Sequence, residues 1–155
     1  MSKLPESVAV VYFSKGGAAA RYADVVATEL EAAGHAVTTI DLRDARRLAL
    51  EPYSTIVFGT GVRIGMVYWR ARRFLKRKEL SNKIFAVFLA SGIAVKDPDK
   101  ARRKFLEPLL ARRRLRPVMA VAFPGMLPGA GGKLEDKTDE ESARVWAREL
   151  ATRLS

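Results

Sequence analysis

Residues 8–20 read VAVVYFSKGGAAA. From Val8 to Phe13, five apolar residues and a tyrosine run without a charge. A strand that is apolar on both faces belongs in the middle of a parallel sheet, where both faces are covered. Ser14, Lys15, Gly16 and Gly17 follow, and then Ala23, Val26, Ala27 and Leu30 fall at helical spacing. The stretch is therefore a strand, a tight glycine loop and a helix N-terminus. Such a corner gathers backbone N–H groups without helical acceptors at the positive end of a helix dipole, which suits an anion, phosphate above all. The same residues also suit a plain corner in which the glycines only make the turn.

Working outward, Gly34 ends the first helix, and residues 36–42 (AVTTIDL) read as a second strand. His35, the only histidine, sits at the junction and is expected to be solvated rather than catalytic. Residues 43–50 are a short basic helix or loop stopped by Pro52. Residues 53–59 (YSTIVFG) form a third strand and lead into a loop of Thr60, Gly61, Val62, Arg63, Ile64 and Gly65. A helix is predicted over 66–80, with Tyr68, Ala71, Phe74 and Leu75 on one face and a basic opposite face. Residues 83–90 are a central fourth strand, followed by the loop Ser91, Gly92, Ile93, Ala94 and Val95. Asp97 and Pro98 begin a helix to about residue 114, which Pro108 is expected to kink or split. Residues 117–123 are a fifth strand, 124–137 a Gly/Pro-rich loop, and Thr138 with Glu141 has capping-box spacing for a last helix.

The bulk numbers bound the chemistry. A chain of 155 residues that is 48% hydrophobic supports one packed domain, and no repeat or linker interrupts residues 1–155. The absence of cysteine removes disulfides, thiolate nucleophiles and cysteine-ligated metal, and no metal site is expected. The N-terminus, MSKLPES, lacks the apolar stretch of a secretory signal, so a cytoplasmic location is expected, with a membrane-peripheral one as its alternative. The formal charge of +11 points to nucleic acid, an anionic membrane surface or an acidic partner.

Strands alternating with helices predict an α/β fold, a doubly wound five-stranded parallel sheet covered on both faces. In the order 2-1-3-4-5 the switch point lies between the first and third strands, and ligands bind beyond the carboxyl ends there. The loops Ser14–Ala19 (with Lys15, Gly16, Gly17 and Ala18), Thr60–Gly65 and Ser91–Val95 all leave such ends. They are expected to meet at one site, one loop for a phosphate and two for a flat ring.

The layout resembles the flavodoxins over nearly the whole chain. Within them it is most similar to the flavodoxin-domain group that includes the menaquinone-dependent protoporphyrinogen oxidase. The matching pieces are VVYFSKGGAAARYA, GTGVRIGMVYWRARRFLKRK, FLASGIAVKDPDKARRKFL, RPVMAVAFPGML and GGKLEDKTDEESARVWAREL. The resemblance implies FMN, with its phosphate on Ser14, Lys15, Gly16, Gly17, Ala18 and Ala19. Its ring would lie between Thr60, Gly61, Val62, Arg63, Ile64 and Gly65 on one side and Ser91, Gly92 and Ile93 on the other. The family's phosphate loop carries hydroxyls where this chain has Ser14, Gly16 and Ala19, and only Ser14 keeps one. Ile64 stands where relatives place a stacking aromatic, and the loop after Phe123 lacks the long basic, apolar insertion of the membrane-linked oxidase.

Three readings stay open at this point. The first is an FMN-dependent oxidoreductase or electron carrier, serving a redox partner protein or a small-molecule substrate, in which the flavin does the chemistry. The second is a flavodoxin fold that has lost FMN and works as a basic binding module. The third is a protein that binds RNA through charge alone. Tyr68 and Trp69 suit either a place near a bound ring or the helix core. Two runs concentrate the charge: residues 63–83 hold eight cations against one carboxylate, and residues 96–116 hold nine against three. The rest of the chain is slightly acidic. The expected order puts the helices of both runs on one side of the sheet.

Overall fold

The computed structural model describes residues 7–15, 17–45, 47–63 and 66–154. The all-apolar runs form the sheet interior. Strand β1 (Ser7–Phe13) lies between β2 (Ala36–Asp41) and β3 (Thr55–Arg63), and β3 continues to β5 (Ile84–Ser91) and β6 (Met119–Pro124), all parallel. Register runs straight across, with Val10 opposite Val57, Val57 opposite Ala86 and Ala86 opposite Met119. Setting aside β4 (Met66–Val67), which only folds back on β3, the order is the expected 2-1-3-4-5.

Helices cover both faces. Helix α1 (Ala18–Ala32) and helix α5 (Glu140–Leu154) bury Tyr22, Val26, Leu30, Trp146 and Leu150 against Val8, Val10, Val57 and Phe88. The opposite face of the sheet packs α2 (Trp69–Phe74), α3 (Pro98–Ala101) and α4 (Glu107–Arg112) on Ala9, Val11, Ile56, Phe58 and Val87. Both basic runs therefore lie on the α2–α4 side, and the molecule is electrically polarised across its sheet.

On the α1 and α5 side Phe88, Phe123, Trp146 and Tyr22 form an aromatic cluster, with ring centres 4.7 to 6.3 Å apart. The Tyr22 hydroxyl donates to Pro124 O and accepts from the Asp139 amide. Burial pushes its pKa up to about 12. It ties α1 to the end of β6 and the start of α5.

The structure corrects several boundaries. Thr60, Gly61, Val62 and Arg63 belong to β3 rather than to a loop, because the strand runs past its parallel neighbours and pairs antiparallel with β4, Val62 opposite Val67. The helix expected over 66–80 shrinks to α2, followed by a 3-10 turn at Lys78–Asn82. Its sequence stacks cations at helical spacing, Arg72 over Lys76 and Arg73 over Arg77, which destabilises a longer helix. Arg77 instead reaches Leu48 O at 2.6 Å and Glu79 at 2.9 Å.

The helix around Pro108 is not split. A π-helical turn at Arg102–Leu106 joins α3 to α4, which accommodates the helical bond that Pro108, without an amide hydrogen, cannot donate. Residues 43–45 turn without a helix, held by the Asp41 carboxylate, which accepts from the Arg43 amide at 2.9 Å. Asp139, not Thr138, caps α5, accepting from the Ser142 amide at 3.2 Å. His35 is buried, not solvated, because the turn from α1 into β2 folds it inward. The expected loop over 124–137 contains a hairpin, β7 (Met126–Pro128) against β8 (Leu134–Asp136).

Candidate functional site

The first glycine corner forms as its residues require. Gly17 is the N-cap of α1 at φ +90°, a left-handed conformation that glycine takes without a Cβ penalty. The first helical bond runs from the Arg21 amide to Gly17 O, so the amides of Ala18, Ala19 and Ala20 precede any intrahelical acceptor. Among the described residues no side chain caps this terminus, and its first turn has no carboxylate. The Ser14 hydroxyl accepts from the Gly17 amide at 2.9 Å. That bond leaves its own proton to donate. Lys15 is exposed, with its Nζ 5.6 Å from the centre of the Tyr68 ring.

A cleft of about 630 Å³ opens from this terminus along the carboxyl ends of β1, β3 and β5. It gathers Ser14, Lys15, Ala18, Ala19, Gly61, Val62, Ser91, Gly92 and Ile93. Of the other expected residues, Gly17 stands at the helix cap, Thr60 is buried within β3, and Arg63 ends that strand. Gly16, Ile64 and Gly65 lie outside the described residues. The Ser91 hydroxyl accepts from the Ile93 amide at 3.1 Å and, like that of Ser14, keeps its own proton to donate.

Sequence reasoning left Tyr68 between the ring and the helix core and missed the rest of the far wall. Tyr68 lines the cleft beside Phe13, ring centres 5.1 Å apart, and the hairpin supplies Met126, Leu127 and Leu134. The signal for the hairpin lies in two glycines. A Cβ on Gly92 would stand 2.8 Å from Met126 O, and one on Gly125 would stand 3.0 Å from the Ser91 amide nitrogen. Only glycine lets the loop after β5 and the hairpin approach so closely.

The hairpin is tethered to α1. Arg21 donates to the Asp136 carboxylate and to the Thr138 hydroxyl. The Thr138 hydroxyl and then Arg21 hold the Asp136 pKa down at about 2. A depressed carboxylate stabilises above its unfolded pKa, about 3.9, and loses that contribution as pH falls through its folded value. Hydrogen exchange of the hairpin amides, corrected for intrinsic rates, is expected to be flat from neutral pH to about 4 and to accelerate toward about 2. Asp136→Asn should show the faster exchange already at neutral pH.

Residues 9–137 match the flavodoxin domain family, and the chain belongs to that family. Similar solved structures include oxidised flavodoxin 1 from Bacillus cereus, 20% identical with a TM-score of 0.68 over 96% of this chain and 100% of that one. Flavodoxin 2 from the same organism is 18% identical with a TM-score of 0.66, covering 96% and 97%. Rubredoxin oxygen:oxidoreductase from Desulfovibrio gigas is 15% identical with a TM-score of 0.67, and the match spans 96% of this chain but only 36% of that one. No curated protein is similar enough in sequence to count as a match.

FMN is the cofactor that membership of this family brings, and the residues present fit it. The uncapped terminus of α1 with the Ser14 hydroxyl and Lys15 suits a phosphate. The cleft beyond is mostly apolar and lies within the roughly 300–1,000 Å³ usual for small-molecule sites. Among its described lining residues no carboxylate opposes an anion. Ala19 supplies no hydroxyl, so the phosphate would rest on one side-chain hydroxyl, the ammonium and the backbone. No described helix is long and apolar enough to cross a membrane.

Proposed function

We propose that the cleft between the α1 terminus and the hairpin holds FMN and that the chain is an electron-transfer flavoprotein. Bound FMN would supply reversible one- or two-electron chemistry at its ring. The protein's own part is placement. Ser14, Lys15 and the Ala18–Ala20 amides hold the phosphate. Gly61, Val62 and Tyr68 flank one side of the ring, and Gly92, Ile93 and Met126 the other. The observation that carries this reading is the uncapped α1 terminus opening into an apolar cleft at the switch point of the sheet.

The cleft contains no His, Asp or Glu among its described lining residues. A general acid or base is not part of this reading, which suits electron exchange. The quoted pieces resemble the group of the flavodoxin-type protoporphyrinogen oxidase. The short hairpin in place of that group's long insertion favours a protein or small-molecule redox partner over a membrane quinone. The basic α2–α4 side would receive an acidic redox partner by charge complementarity.

A second reading, a binding module without FMN, draws support from Ala19. A hydrogen bond to a charged phosphate is worth about 1.5–3 kcal/mol, and this position offers none. The experiment that separates the two restores it. Ala19→Ser should tighten FMN by about tenfold, the lower end of that range, while riboflavin, which has no phosphate, binds as before. An unchanged FMN affinity would place the phosphate elsewhere.

A further inference from the structure

A second depression of about 810 Å³ opens between the connection after β2 and the start of α2. Tyr68 lines the first cleft and Trp69 the second, so one step of chain separates them. Trp69 is 58% exposed, whereas the other tryptophan, Trp146, is 7% exposed. The Arg70 guanidinium carbon stands 5.7 Å from the centre of the Trp69 ring. Leu48 and Phe74 give the depression an apolar lining beside that ring.

Four guanidinium groups share this cleft with no carboxylate among its described lining residues: Arg47, Arg70, Arg73 and Arg77. Arg77 is engaged by Leu48 O and Glu79. Arg47, Arg70 and Arg73 have no carboxylate partner among the described ion pairs. Like charges gathered at one depression repel, and a large exposed indole gains nothing from water. Both features are relieved by one kind of ligand. It has a flat ring to lie on Trp69 and several anionic oxygens to meet the guanidinium forks.

We propose that this second cleft binds a nucleotide carrying at least two phosphate groups, its base stacked on Trp69 and its phosphates on Arg47, Arg70 and Arg73. Three guanidinium groups without a carboxylate partner match the charge of a nucleoside diphosphate. The cleft is of small-molecule size. The proposal stands on this cleft alone and does not depend on FMN in the first.

The test uses ADP as probe, with adenosine and pyrophosphate as its two halves, followed by Trp69 fluorescence and by calorimetry. Saturable binding of ADP is expected, with adenosine at least about tenfold weaker and pyrophosphate competing. Arg47→Gln with Arg73→Gln should weaken ADP at least about tenfold, and Trp69→Leu should weaken it in calorimetry. Lys76→Gln with Arg112→Gln removes the same charge outside the cleft and should cost less than about threefold. The proposal is overturned if the two double variants weaken ADP alike, if FMN displaces ADP one for one, or if no saturable binding occurs. It is also overturned if single-stranded RNA binds with an affinity that rises with length, which would mark a polynucleotide surface.

Discussion

Gly59→Val is expected to leave no folded protein, and Gly59→Ala to cost about 3 kcal/mol, the upper end of ordinary overpacking. Gly59 pairs with Phe88 across β3 and β5. The Phe88 ring lies over the place a side chain would take. A Cβ on Gly59 would stand 1.9 Å from Cζ and 2.2 Å from Cε2 of that ring. The ring has nowhere to go, since it is fully buried and ringed by Tyr22, Phe123 and Trp146. Valine adds two further carbons, and a domain of marginal stability does not survive the sum. Denaturant unfolding followed by circular dichroism measures the cost. Adding Phe88→Leu to Gly59→Ala should recover part of it. An alanine variant as stable as the parent would mean that the ring does not cover Gly59.

The second large effect concerns the basic side. Lys76 and Lys78 follow α2, and Arg103 and Arg112 lie along the π turn and α4. All four are exposed, and none has a carboxylate partner among the described ion pairs. They are better targets than Arg72, which is partly buried, or Arg102, which faces Asp99 and Glu107 at 3.6 Å. Reversing all four to glutamate is expected to lower binding of an acidic protein surface by about a hundredfold at low salt, within the range of electrostatic steering. Poly-glutamate serves as the probe, with anionic vesicles and RNA alongside. The parent's affinity should fall steeply with added salt. Should parent and variant bind poly-glutamate alike, the basic side is a solvated surface.

The sheet was legible because its strands are continuous apolar runs, and these declare themselves without any partner. Residues 8–11 and 85–90 are buried on both faces, as their composition required. The hairpins were not legible. Strands of two or three residues such as β4, β7 and β8 carry no periodicity, and they exist only because distant backbone meets them. The same reason hid the far wall of the candidate site. Ser14, Ala19, Gly61 and Gly92 could be read from the rule that ligands gather at a switch point. Met126 and Leu134 could not, because their place depends on how closely Gly92 and Gly125 let two segments approach. His35 escaped because a junction histidine is polar by type, and only packing decides its burial.

The central claim is that FMN binds with its phosphate at the α1 terminus. The direct measurement titrates the flavin-free protein with FMN and with riboflavin, following quenching of flavin fluorescence. The account predicts saturable quenching at one FMN per chain, with riboflavin at least about tenfold weaker because it lacks the phosphate. Absence of quenching at high micromolar FMN, or equal affinity for the two flavins, would contradict it.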